Sequence, residues 1–131
     1  MNAPTPNTGK PVKPRDAASL VLVDETGPEP RILMGKRHAK MSFIPDAFVF
    51  PGGKLDPHDH EAHPATTLPS DPSLGHTGAS KAKTLALAMA AVRETFEETG
   101  MLLADKGDIG PTTGETWGQF REMGLAPALH H

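Results

Sequence analysis

The stretch that decides the fold is Arg93-Glu94-Thr95-Phe96-Glu97-Glu98-Thr99-Gly100, at the end of a long run without glycine or proline. This run predicts one helix, which begins after Ser80, a common helix-capping residue type, and ends at Gly100. Apolar residues spaced by four, three and four positions give the helix one stripe that faces a core, and they are Leu85, Met89, Val92 and Phe96.

Three glutamates, Glu94, Glu97 and Glu98, lie off this stripe and within one turn of each other, so their carboxylates can converge. Each acidic side chain at a helix C-terminus destabilises the helix by roughly 0.3–1 kcal/mol, because the helix dipole is negative there. Arg93 can offset part of that charge. A hard divalent cation would compensate the rest, since Mg²⁺ and Mn²⁺ prefer carboxylate oxygens. The alternative is a solvated acidic face at a helix end.

The composition indicates a single acidic domain. The 131 residues carry a net charge of −3, with 14 Pro, 13 Gly and no Cys. The negative charge argues against nucleic-acid binding, and the lack of cysteine excludes disulfides, thiolate catalysis and Cys-bound zinc. No apolar run approaches the ~20 residues of a membrane span, and the N-terminus has no apolar signal core. We therefore expect a soluble, cytoplasmic protein.

The segment before the helix predicts a tail, three strands and a loop. Residues 1–16 contain four prolines and predict a flexible tail. Strands are expected at 17–23 and 31–37, paired as a hairpin, and at 47–50, just before a diglycine. Residues 57–80 contain four more prolines and few large apolar side chains, so we interpret them as a mobile insertion or surface loop.

The insertion is rich in residue types that ligate metals, namely His58, Asp59, His60, Glu61 and His63. They superficially suggest a transition-metal site. We interpret them instead as a solvated loop, because no flanking element would hold a ligand geometry.

After the long helix, residues 101–103 are expected to begin a strand, and residues 115–123 predict a short helix that packs through Trp117 and Phe120. The sequence predicts three strands, one strand fragment and two helices. So few strands form only a small sheet, which leaves the apolar stripe of the long helix poorly covered. We therefore expect that the chain lacks a C-terminal portion.

Phe50-Pro51-Gly52-Gly53, followed by the stretch from Arg93 to Met101, resembles the signature of the Nudix hydrolases. That signature runs Gly, five residues, Glu, seven residues, and then Arg-Glu-apolar-any-Glu-Glu-any-Gly-apolar. The stretch from Arg93 to Met101 departs from it at Thr95, which stands at the apolar position. The resemblance covers residues 17–131 and implies an α/β fold of the α+β type, with a mixed sheet packed against the signature helix.

The spacing inside the signature is unusual. Thirteen residues are expected between its glycine and arginine, whereas 39 separate Gly53 from Arg93, and the insertion accounts for the excess. Counting forward from Gly53 puts Asp59 at the first acid, and counting back from Arg93 puts Leu85 there. We expect that this acid is replaced or absent. A long insertion at this point is similar to a subgroup of the coenzyme A diphosphatase type.

The resemblance implies a metal-dependent hydrolase that cleaves the pyrophosphate bond of a nucleoside diphosphate linked to coenzyme A, ADP-ribose or a second nucleotide. Mg²⁺ or Mn²⁺ would be the cofactor, held by Glu94, Glu97, Glu98 and the Gly53 carbonyl. The implied catalytic residues are Arg93, Glu94 and Glu97. Arg93 would orient the glutamates, and Glu97 is the candidate for the general base.

Substrate phosphates would contact Gly52, Gly53 and Arg37, although an exposed arginine at a strand end is more often only solvated. We expect the binding partner to be a small molecule, and neither a nucleic acid nor a membrane. The expected assembly is a homodimer. Two further hypotheses stay open. One is a non-catalytic or truncated protein that binds metal and nucleotide, and the other is an acidic helix end that meets a basic partner surface.

Overall fold

The computed structural model describes residues 13–36, 47–66, 68 and 78–130. Its helices are α1 (Lys81–Thr99) and α2 (Glu115–Met123), with a 3-10 helix at Pro57–His60. Its strands are β1 (Ala17–Ser19), β2 (Val23–Asp24), β3 (Arg31–Ile32), β4 (Gly35–Lys36), β5 (Phe48–Val49), β6 (Gly52–Lys54), β7 (Ala104–Lys106) and β8 (Leu125–Pro127). Predictions for the tail up to residue 12, for Arg37 and for most of residues 67–77 lie outside the described residues.

The strands pair in small antiparallel sheets, β1 with β6, β2 with β3, β4 with β5, and β7 with β8. The expected hairpin is confirmed, because β2 pairs with β3 and Leu33 donates its N–H to the Leu22 carbonyl at 3.1 Å. The expected single strand over 17–23 is instead divided, since its first half pairs with β6 and its end pairs with β3. The α/β class is confirmed, with small sheets in place of one continuous sheet in the described ranges.

Helix α1 has the predicted ends. The Ser80 side chain accepts a hydrogen bond from the Lys83 N–H at 3.2 Å. Gly100 ends the helix in the left-handed conformation, with φ of 74°, and donates its N–H to the Phe96 carbonyl. The predicted stripe faces the core, because Met89 and Val92 are buried. The rest of the stripe, Leu85 and Phe96, packs against the same cluster.

Helix α2 covers the C-terminal half of α1. Trp117 and Phe120 are fully buried, as the sequence predicts, and their ring centroids lie 5.0 Å apart. Phe120 also meets Phe96 of α1 edge to face at 5.5 Å. Strand β7 begins at Ala104, three residues later than expected, because Met101 follows the left-handed Gly100 and stays exposed. The two helices thus share one aromatic core.

The first part of the predicted insertion, residues 57–66, contains a 3-10 helix and has both exposed and buried residues. Asp56 caps the 3-10 helix, and both Asp59 and Ala62 are buried. His63 donates its N–H to the Ile109 carbonyl at 2.8 Å, and Thr66 forms a parallel bridge with Ala128. Small and polar residues are buried here because their hydrogen bonds are satisfied, which a count of large apolar side chains does not detect.

Within the described ranges, no helix combines the length and the apolar character that crossing a membrane requires.

Two glycines, one inside α2 and one at its C-terminal cap, give a matched test of the fold. Gly118 lies inside the helix with open space beside it, so we expect Gly118→Ala to raise the free energy of unfolding by about 0.5–1 kcal/mol. Gly124 caps the helix with φ of 67° and also has open space, so Gly124→Ala should lower it by about 1 kcal/mol through backbone strain alone. Urea unfolding followed by circular dichroism measures both, and changes of the same sign would contradict this helix boundary.

Candidate functional site

Strand β6 places the diglycine against the C-terminal half of α1. A methyl group on Gly53 would lie 2.6 and 2.7 Å from the two carboxylate oxygens of Glu94, so a side chain at position 53 would displace the Glu94 carboxylate from β6. Gly52 donates its N–H to Glu98 Oε2 at 3.4 Å. The acidic helix end and the diglycine, which the sequence separates by about forty positions, are therefore in contact.

A buried ion pair joins α1 to the 3-10 helix that follows β6. Arg93 Nε donates to Asp59 Oδ1 at 2.7 Å and Arg93 Nη2 donates to Asp59 Oδ2 at 3.0 Å. The Asp59 carboxylate also accepts the indole N–H of Trp117 at 3.1 Å and the backbone N–H of Asp56 at 2.9 Å. Its side chain is 0% exposed. Every described contact of this carboxylate thus comes from a donor, as a buried charge requires.

Asp59 settles the ambiguity in the signature. Asp59, found by counting forward from Gly53, is the acid that pairs with Arg93, so the first acid of the signature is replaced by an aspartate, which is one of the two expected outcomes. Leu85, the other candidate, belongs to the apolar stripe. The sequence carried one further signal for Asp59, because Asp56 and Asp59 have the spacing of a capping box, which the structure contains.

The opposite side of Arg93 holds two of the three glutamates. Arg93 Nη1 donates to Glu94 Oε1 at 3.1 Å and to both Glu97 oxygens, at 3.2 and 3.1 Å. Arg93 Nη2 donates to the Lys54 carbonyl of β6 at 3.0 Å. Burial lowers the pKa of Arg93, but the hydrogen bonds and charge of Asp59 and the charges of Glu97 and Glu94 outweigh it and raise the pKa. The guanidinium therefore stays charged and can orient both glutamates.

Glu98 is the glutamate that Arg93 does not contact. Burial raises the pKa of Glu98, the Gly52 N–H opposes that shift, and the charges of Glu94 and Glu97 raise the pKa further. The predicted convergence of the three carboxylates is not present, since no three acidic or imidazole groups of the described residues are arranged to hold a metal ion. The physical reason is that Glu94 and Glu97 turn toward Arg93.

The donor set nevertheless fits a hard divalent cation in its chemistry. Three carboxylates, those of Asp59, Glu94 and Glu97, contact the Arg93 guanidinium, and Glu98 adds its charge beside Glu94 and Glu97, so the cluster has a formal charge of −3 when all four acids are ionised. All four offer oxygen, the ligand atom of Mg²⁺ and Mn²⁺. Whether the Gly53 carbonyl joins them stays a prediction.

Two residues of α2 belong to this site and were missed by the sequence reasoning. The Thr116 hydroxyl donates to Glu97 Oε1 at 2.5 Å, and Trp117 donates to Asp59. Trp117 was predicted as a core residue, and no local pattern in the sequence pointed to either contact. Thr95, at the apolar position of the signature, is fully buried, and its hydroxyl donates to the Ala91 carbonyl at 2.7 Å.

The buried pair should dominate the stability of the site. We expect Asp59→Asn to lower the free energy of unfolding by about 3–5 kcal/mol, because it leaves the buried Arg93 charge uncompensated. The matched control is Asp24→Asn, which removes the charge of an exposed Asp24–Arg31 pair and should have a much smaller effect. Guanidinium unfolding measures both, and equal effects would show that the Asp59 pair is not what holds the segments together.

The chain is similar to known proteins in sequence and in fold. No protein-family profile matches the chain. The chain is 36% identical over 93 residues to the putative nudix hydrolase 7 of Caenorhabditis elegans, across 71% of this chain and 24% of the relative. It is 30% identical over 125 residues to the acyl-coenzyme A diphosphatase NUDT19 of Gallus gallus, across 71% of this chain and 33% of the relative.

A solved structure matches as well. The NUDIX hydrolase from Alicyclobacillus acidocaldarius aligns with a TM-score of 0.60 and 26% identity, over 88% of this chain and 57% of that one. The chain spans about a quarter to a third of the length of the curated relatives it matches. The resemblance predicted from the signature residues is confirmed, and the described part of this chain has a Nudix hydrolase fold.

Proposed function

We propose that the protein is a metal-dependent hydrolase that cleaves the pyrophosphate bond of a nucleoside diphosphate linked to a second group. The observation that carries the proposal is the contact between the acidic end of α1 and the diglycine of β6. There Glu94 lies against Gly53 and Glu98 accepts the Gly52 N–H. Arg93 donates to the Lys54 carbonyl of β6, and its buried pair with Asp59 joins α1 to the 3-10 helix. Relatives by sequence and by structure carry the name of this hydrolase family.

The arrangement suits attack on a pyrophosphate. The anionic phosphate oxygens repel an incoming nucleophile, so the site has to supply positive charge. A bound divalent cation supplies it and lowers the pKa of a bound water. Glu94, Glu97 and Glu98 would hold the cation, with Arg93 fixing the direction of the first two. Glu97 is the proposed general base, since its side chain is 38% exposed and so within reach of water.

The substrate class follows from the relatives. The name of the chicken protein is acyl-coenzyme A diphosphatase, so we place coenzyme A and its acyl derivatives first among the proposed substrates. Contact of Gly52 and Gly53 with a substrate phosphate stays a prediction, because Glu98 accepts the Gly52 N–H and Glu94 lies against Gly53. The choice of metal, the cytoplasmic location and the homodimer stay predictions.

Hydrolysis should depend on the glutamates of α1. With Mg²⁺ or Mn²⁺ and a panel of coenzyme A, acyl-coenzyme A, ADP-ribose and dinucleotide substrates, we expect release of phosphorylated products from the wild type. Glu97→Gln should lower kcat by about 100-fold or more if Glu97 is the base. Glu98→Gln should weaken metal binding by about 10-fold or more. Glu122→Gln, which changes an exposed acid of α2, is the matched control and should change neither.

Each outcome separates the hypotheses. Metal and nucleotide binding without product release would favour a non-catalytic binding protein. Unchanged metal affinity in both Glu97→Gln and Glu98→Gln would instead favour an acidic surface that meets a basic partner.

A further inference from the structure

Helix α2 reaches the acid cluster through two consecutive residues that lie outside the signature. Thr116 donates its hydroxyl to Glu97 Oε1 at 2.5 Å, and Trp117 donates its indole N–H to Asp59 Oδ1 at 3.1 Å. Both donors are buried, Thr116 at 8% exposure and Trp117 at 0%. The two acceptors are the carboxylates that also bind opposite sides of Arg93.

These contacts close a ring. Arg93 binds Asp59, Asp59 binds Trp117, Trp117 adjoins Thr116, Thr116 binds Glu97, and Glu97 binds Arg93. Because residues 116 and 117 are neighbours in one helix, their spacing is fixed. The position of the Glu97 carboxylate relative to the buried ion pair is therefore set by α2 as well as by α1.

The hydroxyl is the shortest described contact of Glu97. From Arg93, only Nη1 bonds to Glu97, and this nitrogen also donates to Glu94, so its N–H groups are shared among three oxygens at 3.1–3.2 Å. The Thr116 bond is in the range of charge-assisted O–H···O bonds, which are stronger than neutral ones. It fixes Oε1, while Oε2 accepts from Arg93 alone among the described residues.

We propose that Thr116 is a positioning residue, whose hydroxyl fixes Glu97 Oε1 and so holds Oε2, which accepts one bond from Arg93, with its second lone pair available to the cation or water of the site. This inference rests on the proposed function, because it concerns the orientation of a carboxylate assigned there. A purely structural role is the competing explanation. Thr116 lies in the first turn of α2, where a hydroxyl can bond to the backbone. Its described hydrogen bond goes instead to Glu97, and the cap residue Gly114 makes no side-chain bond.

The test compares three variants of the full chain. Thr116→Val keeps the shape and removes the hydroxyl, whereas Thr116→Ser keeps the hydroxyl. Thr112→Val is the matched control, because Thr112 is also buried and donates a hydrogen bond at 3.0 Å, but to the His58 carbonyl. The readouts are Mn²⁺ affinity without substrate, measured by electron paramagnetic resonance, then kcat and KM for hydrolysis, and the melting temperature.

We expect Thr116→Val to weaken Mn²⁺ binding by about 10-fold and to lower kcat, since groups that orient metal ligands typically have effects of this size. Thr116→Ser should restore the wild-type affinity. Thr112→Val should lower the melting temperature and leave Mn²⁺ affinity unchanged.

Three results would overturn the inference while the proposed function stands. They are unchanged Mn²⁺ affinity in Thr116→Val, equal weakening in Thr116→Val and Thr112→Val, and failure of Thr116→Ser to restore binding. A wild type that neither binds Mn²⁺ nor hydrolyses any substrate of the panel would overturn the proposed function and the inference together.

Discussion

The bidentate pair between Arg93 and Asp59 is the interaction on which the rest of the structure depends. Removing two charges from water costs several kcal/mol per ion, so such a pair persists only where further hydrogen bonds surround it. Here Trp117 and the Asp56 backbone supply those bonds to Asp59, while the Lys54 carbonyl, Glu94 and Glu97 occupy the rest of the guanidinium. One ion pair thereby connects the 3-10 helix, the diglycine strand and both helices.

The parts of the fold that the sequence predicted well are those governed by local rules. The ends of α1 followed from one capping serine and one glycine, and its buried face followed from the helical period of its apolar residues. The residues Trp117 and Phe120 were identified as packing residues of α2 for the same reason. The acidic cluster was identified as a site through its resemblance to the Nudix signature, because three glutamates at a helix end are by themselves also explained by a solvated acidic face.

The parts that sequence reasoning missed depend on contacts between distant residues. Asp59 lies 34 positions from Arg93 and 58 from Trp117, and the long insertion made the first acid of the signature ambiguous. No local sequence pattern predicts that a threonine will donate a hydrogen bond to a glutamate 19 positions away. The mutual approach of the carboxylates was also overestimated, because their spacing on a helix does not show which of them the neighbouring arginine attracts.

The indole of Trp117 has a consequence for how this protein can be observed. The chain contains one tryptophan, and its N–H is bonded to the carboxylate that neutralises Arg93. Its fluorescence emission and its indole proton resonance therefore originate at a single, known point, next in the chain to Thr116, which donates to the proposed general base Glu97. Changes at that point can be followed optically and by NMR in the unmodified protein, without an attached dye or an isotope-labelled ligand.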